Sequence, residues 1–325
     1  MSRTAPELSV LIPIYNEGEH LRDSLLTIVA YIRQTRMVFE LIVVDDGSKD
    51  TTWIELQSLL HDIPELKALR LSRNFGKELA LCAGLEHASG SAVIVMDGDL
   101  QHPPELIPEM IRSWRIEGYD IVECVKESRG EEPLFKKAGA SLFYGMLNRL
   151  AGFDLKNASD YKLLDGKVVQ AWRGLKERKT FFRGMTAWIG FKRTSIPFHV
   201  APRGSGQSHW GLLKLTGLAV ESIVSFSTVP LRIVSAIGVL FSLGAVVLGI
   251  HTLWRKLFLG AVTGFTTVIL LQLFIGGVIM LSIGVVGEYI AAIYHEVKGR
   301  PRYLISEKLS NESSAVPVGA RMYEY

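Results

Sequence analysis

Three short clusters of acidic and polar residues carry the side chains in this sequence that are best suited to chemistry. They are Pro13 to Glu17, Asp45 to Ser48 and Asp97 to Asp99, and the last continues through Leu100 to Pro104. Any one of them alone could be a turn, because Asp and Asn cap helices and Gly permits tight turns. Each cluster follows an apolar run, however, and this repeated placement favours one shared binding site.

Asp97 and Asp99 form an Asp-x-Asp pair. Two carboxylates on one turn supply the hard oxygen ligands that Mg²⁺ and Mn²⁺ prefer. Such an ion can stabilise a nucleotide diphosphate as a leaving group. The sequence contains neither a G-x-x-x-x-G-K-S/T loop nor a G-x-G-x-x-G loop, which would cradle phosphates without a metal. The pair therefore favours departure of a diphosphate over hydride transfer or ATP hydrolysis.

The elements that must position these clusters alternate between strands and helices. Amphipathic stretches at helical spacing separate short apolar runs, which is typical of a parallel sheet covered on both faces. The predicted strands are Leu8–Ile14, Leu41–Val44, Ala68–Leu71, Ala92–Met96 and Ile121–Val125. Ligands of such sheets bind at the carboxyl ends of the strands, so we expect the three clusters to meet there.

The composition narrows the class of protein. The formal net charge of +3, from 36 basic and 33 acidic side chains in 325 residues, lacks the strong basic excess of a nucleic-acid binder. Cys82 and Cys124 are the only cysteines, and we expect buried reduced thiols rather than a disulfide or a metal pair. Met1 to Glu7 is short and polar, unlike a signal peptide, so the soluble part is expected to be cytoplasmic.

The last third of the chain is predicted to enter a membrane. No Asp, Glu, Lys or Arg occurs between Arg232 and Arg255, or between Lys256 and Glu288. Each gap exceeds the roughly 20 apolar residues that cross a bilayer. We expect transmembrane helices near residues 233–254 and 265–292.

Basic residues predict the orientation of these two helices. The loop between them holds Arg255 and Lys256, whereas the flanks are richer in positive charge and are therefore placed in the cytoplasm. The flanking basic residues are Lys214, Arg232, Lys298, Arg300, Arg302 and Lys308. Leu212 to Phe226 is predicted to lie in the interface plane. Ser128 to Gly152 either packs on the core or lies on the membrane surface.

Together these motifs resemble glycosyltransferase family 2, whose fold is GT-A. The resemblance rests on Pro13 to Glu17, Asp45 to Ser48, Arg73 to Lys77 and Asp97 to Pro104, and it extends to the paired C-terminal spans. It is closest to polyprenyl-phosphate glycosyltransferases, which include bactoprenol glucosyltransferases and dolichyl-phosphate mannose synthases. It implies a Rossmann-like, mostly parallel α/β domain over residues 1–198, an acceptor loop and amphipathic interfacial helix over 199–231, transmembrane helices over 232–294 and a cytoplasmic tail over 295–325.

The resemblance also implies roles for individual residues. Contacts to the nucleotide sugar are implied for Pro13, Tyr15, Glu17, Asp46, Lys77, Asp97 and Gly98. Ligation of Mg²⁺ or Mn²⁺ is implied for Asp97, Asp99 and Gln101. Catalytic roles are implied for Asp160, Arg183 and Arg203, and contacts to the acceptor phosphate for Arg203, Ser208 and His209.

The role of Asp160 has alternatives. It could cap a helix before Leu163, although the family motif favours a catalytic role. As a catalytic group it could be a base or could orient the acceptor. A phosphate monoester has a second pKa of about 6 and is largely ionised at neutral pH, so the acceptor itself needs no base.

The implied reaction is metal-dependent, inverting transfer of a hexose, expected to be glucose from UDP-glucose, to undecaprenyl phosphate at the inner or plasma membrane, for use in the cell envelope. GDP-mannose, a UDP-N-acetylhexosamine or a modified UDP-arabinose are alternative donors.

A processive synthase would carry a Q-x-x-R-W motif, which is absent. A non-catalytic membrane scaffold is disfavoured by the intact acidic motifs. A homodimer or homotetramer is also expected, because Gly276 and Gly277 permit close helix contact.

Overall fold

The computed structural model describes residues 5–126, 159–175, 177, 180–198, 228–258 and 264–311. They fall into two compact units. One contains the described residues up to 198 together with those from 300 onward, and the other contains the described residues between 228 and 299. The predicted amphipathic segments 128–152 and 212–226 lie outside the described residues.

Eight strands of the described residues form one sheet in the order β7-β5-β6-β4-β1-β2-β3-β8. Strand β6 is antiparallel to β4 and β5, and β8 is antiparallel to β3, whereas the other paired strands are parallel. The mostly parallel sheet expected from the sequence is therefore confirmed. The strands are β1 Leu8–Ile14, β2 Phe39–Asp45, β3 Leu66–Leu71, β4 Ala92–Val95, β5 Ile121–Lys126, β6 Lys162–Asp165, β7 Arg193–Phe198 and β8 Ile305–Ser310.

Helices cover both faces of this sheet. Buried side chains of α1, α2 and α4 pack on one face, and those of α3, α5 and α6 pack on the other. Every residue of β1 and β2 is buried, which explains why their sequences are mostly apolar. The polar exceptions are Ser9, Glu40 and Asp45. The helices of this unit are α1 Leu21–Gln34, α2 Thr52–Leu59, α3 Lys77–His87, α4 Ile107–Arg115, α5 Gly166–Gly174 and α6 Phe182–Trp188. Cys82 and Cys124 are buried on opposite faces of the sheet.

Strand β8 belongs to residues 295–325, the segment predicted to be a cytoplasmic tail. It pairs with β3 along the edge of the sheet. Its Glu307 accepts hydrogen bonds from Trp53 at 3.0 Å and from Arg70 at 2.8 Å. The chain therefore returns to the sheet after the second unit and covers an edge that would otherwise be unpaired.

The second unit consists of two long apolar helices, α7 Val229–Phe258 and α8 Phe265–Val297. The stretches Val229–Arg255 and Leu271–Tyr294 are long and apolar enough to cross a membrane. The rings of Phe241 and Phe274 lie 5.6 Å apart between the two helices. Most of their large apolar side chains are exposed, which in water would be unfavourable and in a bilayer is expected.

Candidate active site

A cavity of about 240 Å³ opens at the carboxyl ends of β1, β2 and β4. Residues that follow these strands form its walls, together with the first turns of α3. The lining residues are Pro13, Ile14, Tyr15, Glu17, Asp46, Lys77, Ala80, Asp97 and Asp99. The parallel register of β1 with β2 and β4 thus brings the three acidic clusters of the sequence to one edge of the sheet.

The loops that follow β1 and β2 are tied to each other. Asn16 has a left-handed backbone, with φ of 55°, and its backbone N–H donates to Ser48 Oγ at 2.9 Å. Its side-chain oxygen accepts from the backbone N–H of Lys49 at 2.9 Å. The buried Asp45 carboxylate accepts the N–H of Ser48 at 2.8 Å. These reciprocal bonds fix the wall of the cavity that carries Tyr15, Glu17 and Asp46.

Asp46 organises a third loop, the one between β3 and α3. Its two carboxylate oxygens accept the backbone N–H groups of Phe75 at 2.7 Å and Gly76 at 2.8 Å. Burial raises the pKa of Asp46, and these two N–H groups oppose that rise. Gly47 has a φ of +70°, and a Cβ on it would lie 2.5 Å from the carbonyl carbon of Arg73. Glycine is therefore required where the two loops meet.

The Asp-x-Asp turn after β4 is held by its own downstream residues. The backbone N–H of Asp97 donates to His102 Nδ1 at 2.9 Å, and that of Gln101 donates to the Asp99 carboxylate at 3.0 Å. Leu100 has a left-handed backbone, with φ of 57°. The turn is thus closed locally, and Asp97 and Asp99 both face the cavity.

Negative charge crowds this cavity. Burial raises the pKa of Glu17 to about 7, and repulsion from Asp99 and Asp97 adds to the rise. Gly98 leaves little room beside this group, because a Cβ there would lie 3.1 Å from Glu17 Oε2. A site that disfavours an additional anion in this way is suited to a bound cation.

Lys77 joins the cavity to a second acidic site. Its ammonium lies 2.6 Å from Asp97 Oδ1 and 2.9 Å from Asp160 Oδ2. Burial would lower the pKa of Lys77, but Asp97 and Asp160 outweigh burial and raise it. The lysine is therefore a permanent cation between two carboxylates.

Asp160 is a buried anion that is held on two sides. Arg183 donates from Nε and Nη2 to its two oxygens at 2.7 and 2.9 Å. Burial would raise the pKa of Asp160, but Arg183 and Lys77 outweigh it and hold the pKa well below the usual range. Leu163 lies in β6, so Asp160 precedes a strand and does not cap a helix there. A carboxylate that is so difficult to protonate is a weak general base.

Two further groups, which are not among the predicted site residues, lie beside this site. Glu78 accepts the backbone N–H of Phe182 at 2.6 Å, and burial raises its pKa to about 7. This contact fixes the start of α6, which carries Arg183. His102 is buried and lies under the Asp-x-Asp turn. Their adjacency to Lys77 and to the acidic motif is the only signal in the sequence that could have identified them.

The donor set fits a divalent cation that is shared with a diphosphate. Asp97 and Asp99 offer carboxylate oxygens on one turn, and Glu17 adds negative charge beside them. Within the described residues, no three His, Cys, Asp or Glu side chains are arranged as a complete protein ligand set. Mg²⁺ commonly takes only one or two carboxylates and completes its shell with substrate phosphates and water. Gln101, the third expected ligand, lies in the same turn.

Three of the expected acceptor-side residues, Arg203, Ser208 and His209, lie outside the described residues. The remaining predicted residues fall into two neighbouring groups. From the three acidic clusters, Pro13, Tyr15, Glu17, Asp46, Asp97 and Asp99 line the cavity, whereas Gly98 and Gln101 lie in the turn beside it. Asp160 with Arg183 lies beyond Lys77.

Comparison with known proteins places this geometry in a family context. The model of the family "Glycosyl transferase family 2" matches residues 9–165. A second model, "GtrB C-terminal hairpin", matches residues 229–293. The two matches correspond to the sheet unit as far as β6 and to the pair of apolar helices.

Relatives match the chain over almost its whole length. An uncharacterized glycosyltransferase of Synechocystis is 40% identical over 93% of this chain and 95% of its own length. The bactoprenol glucosyl transferase of Shigella phage SfII is 36% identical over 93% of this chain and 98% of its own length. Among solved structures, a Pyrobaculum calidifontis mannosyltransferase in complex with GDP-Man and Mn²⁺ is 18% identical, with a TM-score of 0.47 over 68% of this chain and 63% of that chain.

Proposed function

Since the chain belongs to glycosyltransferase family 2, we propose that this glycosyltransferase moves glucose from UDP-glucose to a polyprenyl phosphate, with undecaprenyl phosphate as the physiological acceptor. One observation carries the proposal. The acidic cavity and the Asp160–Arg183 pair lie on either side of Lys77, in a chain that is 36% identical to a bactoprenol glucosyl transferase along nearly its full length.

The donor half of the reaction is assigned to the cavity. In this proposal Asp46 contacts the base or ribose, with Pro13 and Tyr15 beside it. Lys77 and the Gly98 backbone lie nearer the phosphates. The two loops that form this wall are fixed by internal hydrogen bonds, so little ordering is needed when the nucleotide binds.

Asp97, Asp99 and Gln101 are proposed to hold Mg²⁺ or Mn²⁺ against the diphosphate. When bound, the ion would neutralise the negative charge that develops on the leaving group. The chain contributes the carboxylates, the local closure of the turn and the neighbouring Lys77 cation. Lys77 also reduces repulsion between the donor diphosphate and the acceptor phosphate.

In the acceptor half of the reaction, the lipid phosphate must be oriented toward the sugar, and no proton has to be removed from it. An oxygen of the lipid phosphate forms a bond to the anomeric carbon while the bond from that carbon to the diphosphate breaks, so UDP leaves and the configuration inverts. A phosphate monoester is already largely ionised at neutral pH. We therefore assign Asp160 an orienting role and assign Arg183, with Arg203, Ser208 and His209, to the acceptor phosphate.

The apolar hairpin is proposed to anchor the enzyme in the bacterial inner membrane, with both flanks in the cytoplasm. Two spans return the chain to the side from which it left, and basic residues are more frequent on the flanks than between the spans. This orientation would keep the sheet unit, which contains β7 before the hairpin and β8 after it, in the compartment that contains nucleotide sugars.

A donor screen tests the proposal. Purified full-length protein in detergent would receive undecaprenyl phosphate, Mg²⁺ or Mn²⁺, and radiolabelled UDP-glucose, UDP-N-acetylglucosamine or GDP-mannose in separate reactions. We expect label from UDP-glucose in the organic phase, lost with EDTA and in Asp99→Ala. Transfer from another donor alone would correct the sugar. Absence of both transfer and nucleotide binding would reject the enzyme assignment in favour of a scaffold.

A further inference from the structure

The strongest feature that the proposed chemistry leaves unused is a buried histidine under the Asp-x-Asp turn. His102 is 4% exposed. Its Nδ1 accepts the backbone N–H of Asp97 at 2.9 Å, so the ring fixes the main chain of the first acidic residue directly. Without this acceptor, that N–H would need another partner in a partly buried place.

The face of the same ring contacts the acceptor side of the site. His102 stacks on Tyr161, with ring centroids 4.9 Å apart and planes 13° from parallel. Tyr161 is fully buried and immediately follows Asp160. Its hydroxyl donates to the carbonyl of Pro103 at 2.9 Å. Phe198 packs edge-on against both rings, at 6.4 and 6.3 Å.

Besides the approach of its Nε2 to Asp97 Oδ2 at 3.9 Å, His102 makes two contacts that substitutions can separate. One edge of the ring holds the turn that carries Asp97 and Asp99, and one face holds the residue next to Asp160. A hydrogen-bond acceptor and an aromatic face at one position are both needed for this arrangement, and histidine supplies both.

We propose that His102 is a positioning residue that holds the Asp97–Asp99 turn in its nucleotide-binding geometry and couples it to the segment before β6 that carries Asp160. The inference deepens the proposed function, since it rests on the cavity being the nucleotide site. It predicts that the hydrogen bond of the ring controls nucleotide affinity, whereas its stacking controls stability.

Two substitutions separate the contacts. His102→Asn retains an oxygen acceptor near the position of Nδ1 and removes the aromatic face. His102→Phe retains the face and removes the acceptor. Binding of UDP and of GDP, each with Mn²⁺, would be measured by titration calorimetry on full-length protein in detergent, and thermal unfolding would be measured on the same samples.

We expect His102→Phe to weaken binding of the nucleotide that the wild type prefers by about tenfold, because a donor N–H loses its buried acceptor. His102→Asn should bind nearly as the wild type while unfolding at a lower temperature than His102→Phe. Should His102→Phe fail to fold, His102→Gln replaces it, because its amide oxygen lies one bond farther from the backbone and misses the N–H of Asp97.

Rescue of affinity by Asn, but not by Phe or Gln, supports the inference. Equal affinity in all variants, or affinity that follows the unfolding temperature in every variant, overturns it while the proposed function stands. Absence of nucleotide binding by the wild type overturns both.

Discussion

The two ends of the central sheet carry concave surfaces of opposite character. At the carboxyl ends, a cavity of about 240 Å³ is lined by four carboxylates and Lys77. At the opposite end, a groove of about 370 Å³ lies beside Phe39, Glu40, Lys67 and Asn311. The groove is larger, yet Glu40, the buried one of the two carboxylates that line it, has a polar or charged neighbour at each oxygen. Glu40 accepts from Ser9 at 2.5 Å, and Lys67 lies 2.8 Å from it.

Under the proposed function, unbalanced charge marks the functional end of the sheet better than cavity volume does. Burial would raise the pKa of Glu40, but hydrogen bonds from Lys67, Ser9 and Ser89 outweigh it and lower the pKa. At the other end, burial raises the pKa of both Glu17 and Glu78 to about 7. The fold itself stabilises Glu40 as an anion. Glu17 and Glu78 would be stabilised as anions only by a bound cation or by a changed environment.

The sharpest way to break this comparison is to remove one carboxylate at each end. We expect Asp99→Asn to lower the rate of transfer about a thousandfold, because metal-assisted stabilisation of the leaving group contributes about 4 kcal/mol. Glu40→Gln is the matched control and should leave the rate per folded molecule essentially unchanged. Equal losses in the two variants, measured as kcat/KM for the donor, would contradict the account.

A smaller effect is expected from Asp160→Asn. Loss of the charge that Arg183 and Lys77 hold should misplace the acceptor, and a misplacement of about 1 Å can cost about a hundredfold in rate. Because Asp160 stays ionised throughout the neutral range, the variant and the wild type should share the shape of their pH–rate profiles between pH 6 and 9. An acid limb that disappears in the variant would show that Asp160 is a general base.

The strands and the acidic clusters differ in how well the sequence predicts them. Those with a pattern in a few consecutive residues can be predicted, and those that depend on distant pairing cannot. Strands β1 to β5 were predicted because each is a short apolar run, and the acidic clusters that follow them were correctly expected to converge. Strand β6 lies next to a polar cluster. Because it is only four residues long, its pattern is too short to detect. The pairing of β8 with β3 spans more than 230 residues, and nothing local encodes it.

The side chains that orient others were harder to identify than those that line the cavity. Asp97, Asp99 and Asp160 belong to recognisable motifs. Glu78 and His102 owe their importance to partners that are brought close only by the fold, namely Phe182 and Tyr161. The charged neighbours and the burial of such residues are known only from the three-dimensional structure.

The stability of the opposite end gives the next prediction. Glu40→Ala removes a buried carboxylate that joins β1, β2 and the α3–β4 turn through Ser9 and Ser89. We expect the free energy of unfolding to fall by about 2 kcal/mol, without loss of nucleotide affinity. Glu65 lines the same groove and forms an ion pair with Arg33 on the exposed surface, so Glu65→Ala should cost less than about 0.5 kcal/mol. Chemical unfolding in detergent measures both, and equal costs would reject the contrast.

An effect on stability that depends on pH is expected from Glu78→Gln. The native pKa of about 7 lies above the ordinary value of 4.5, so Glu78 contributes stability that is complete below pH 4.5 and is lost as pH rises through 7. Gln cannot ionise. We expect the variant to gain about 3 kcal/mol on the wild type between pH 4.5 and 8, as followed by thermal unfolding across that range. A difference independent of pH would show that Glu78 titrates normally.

The most direct test of the central claim, that the charged cavity and not the larger groove is the active site, is an experimental structure of the full-length protein with UDP and Mn²⁺. We predict the nucleotide between Asp46 and Asp97, with the ion on the Asp97–Asp99 turn. Nucleotide density in the groove beside Glu40, with the cavity unchanged, would contradict the account.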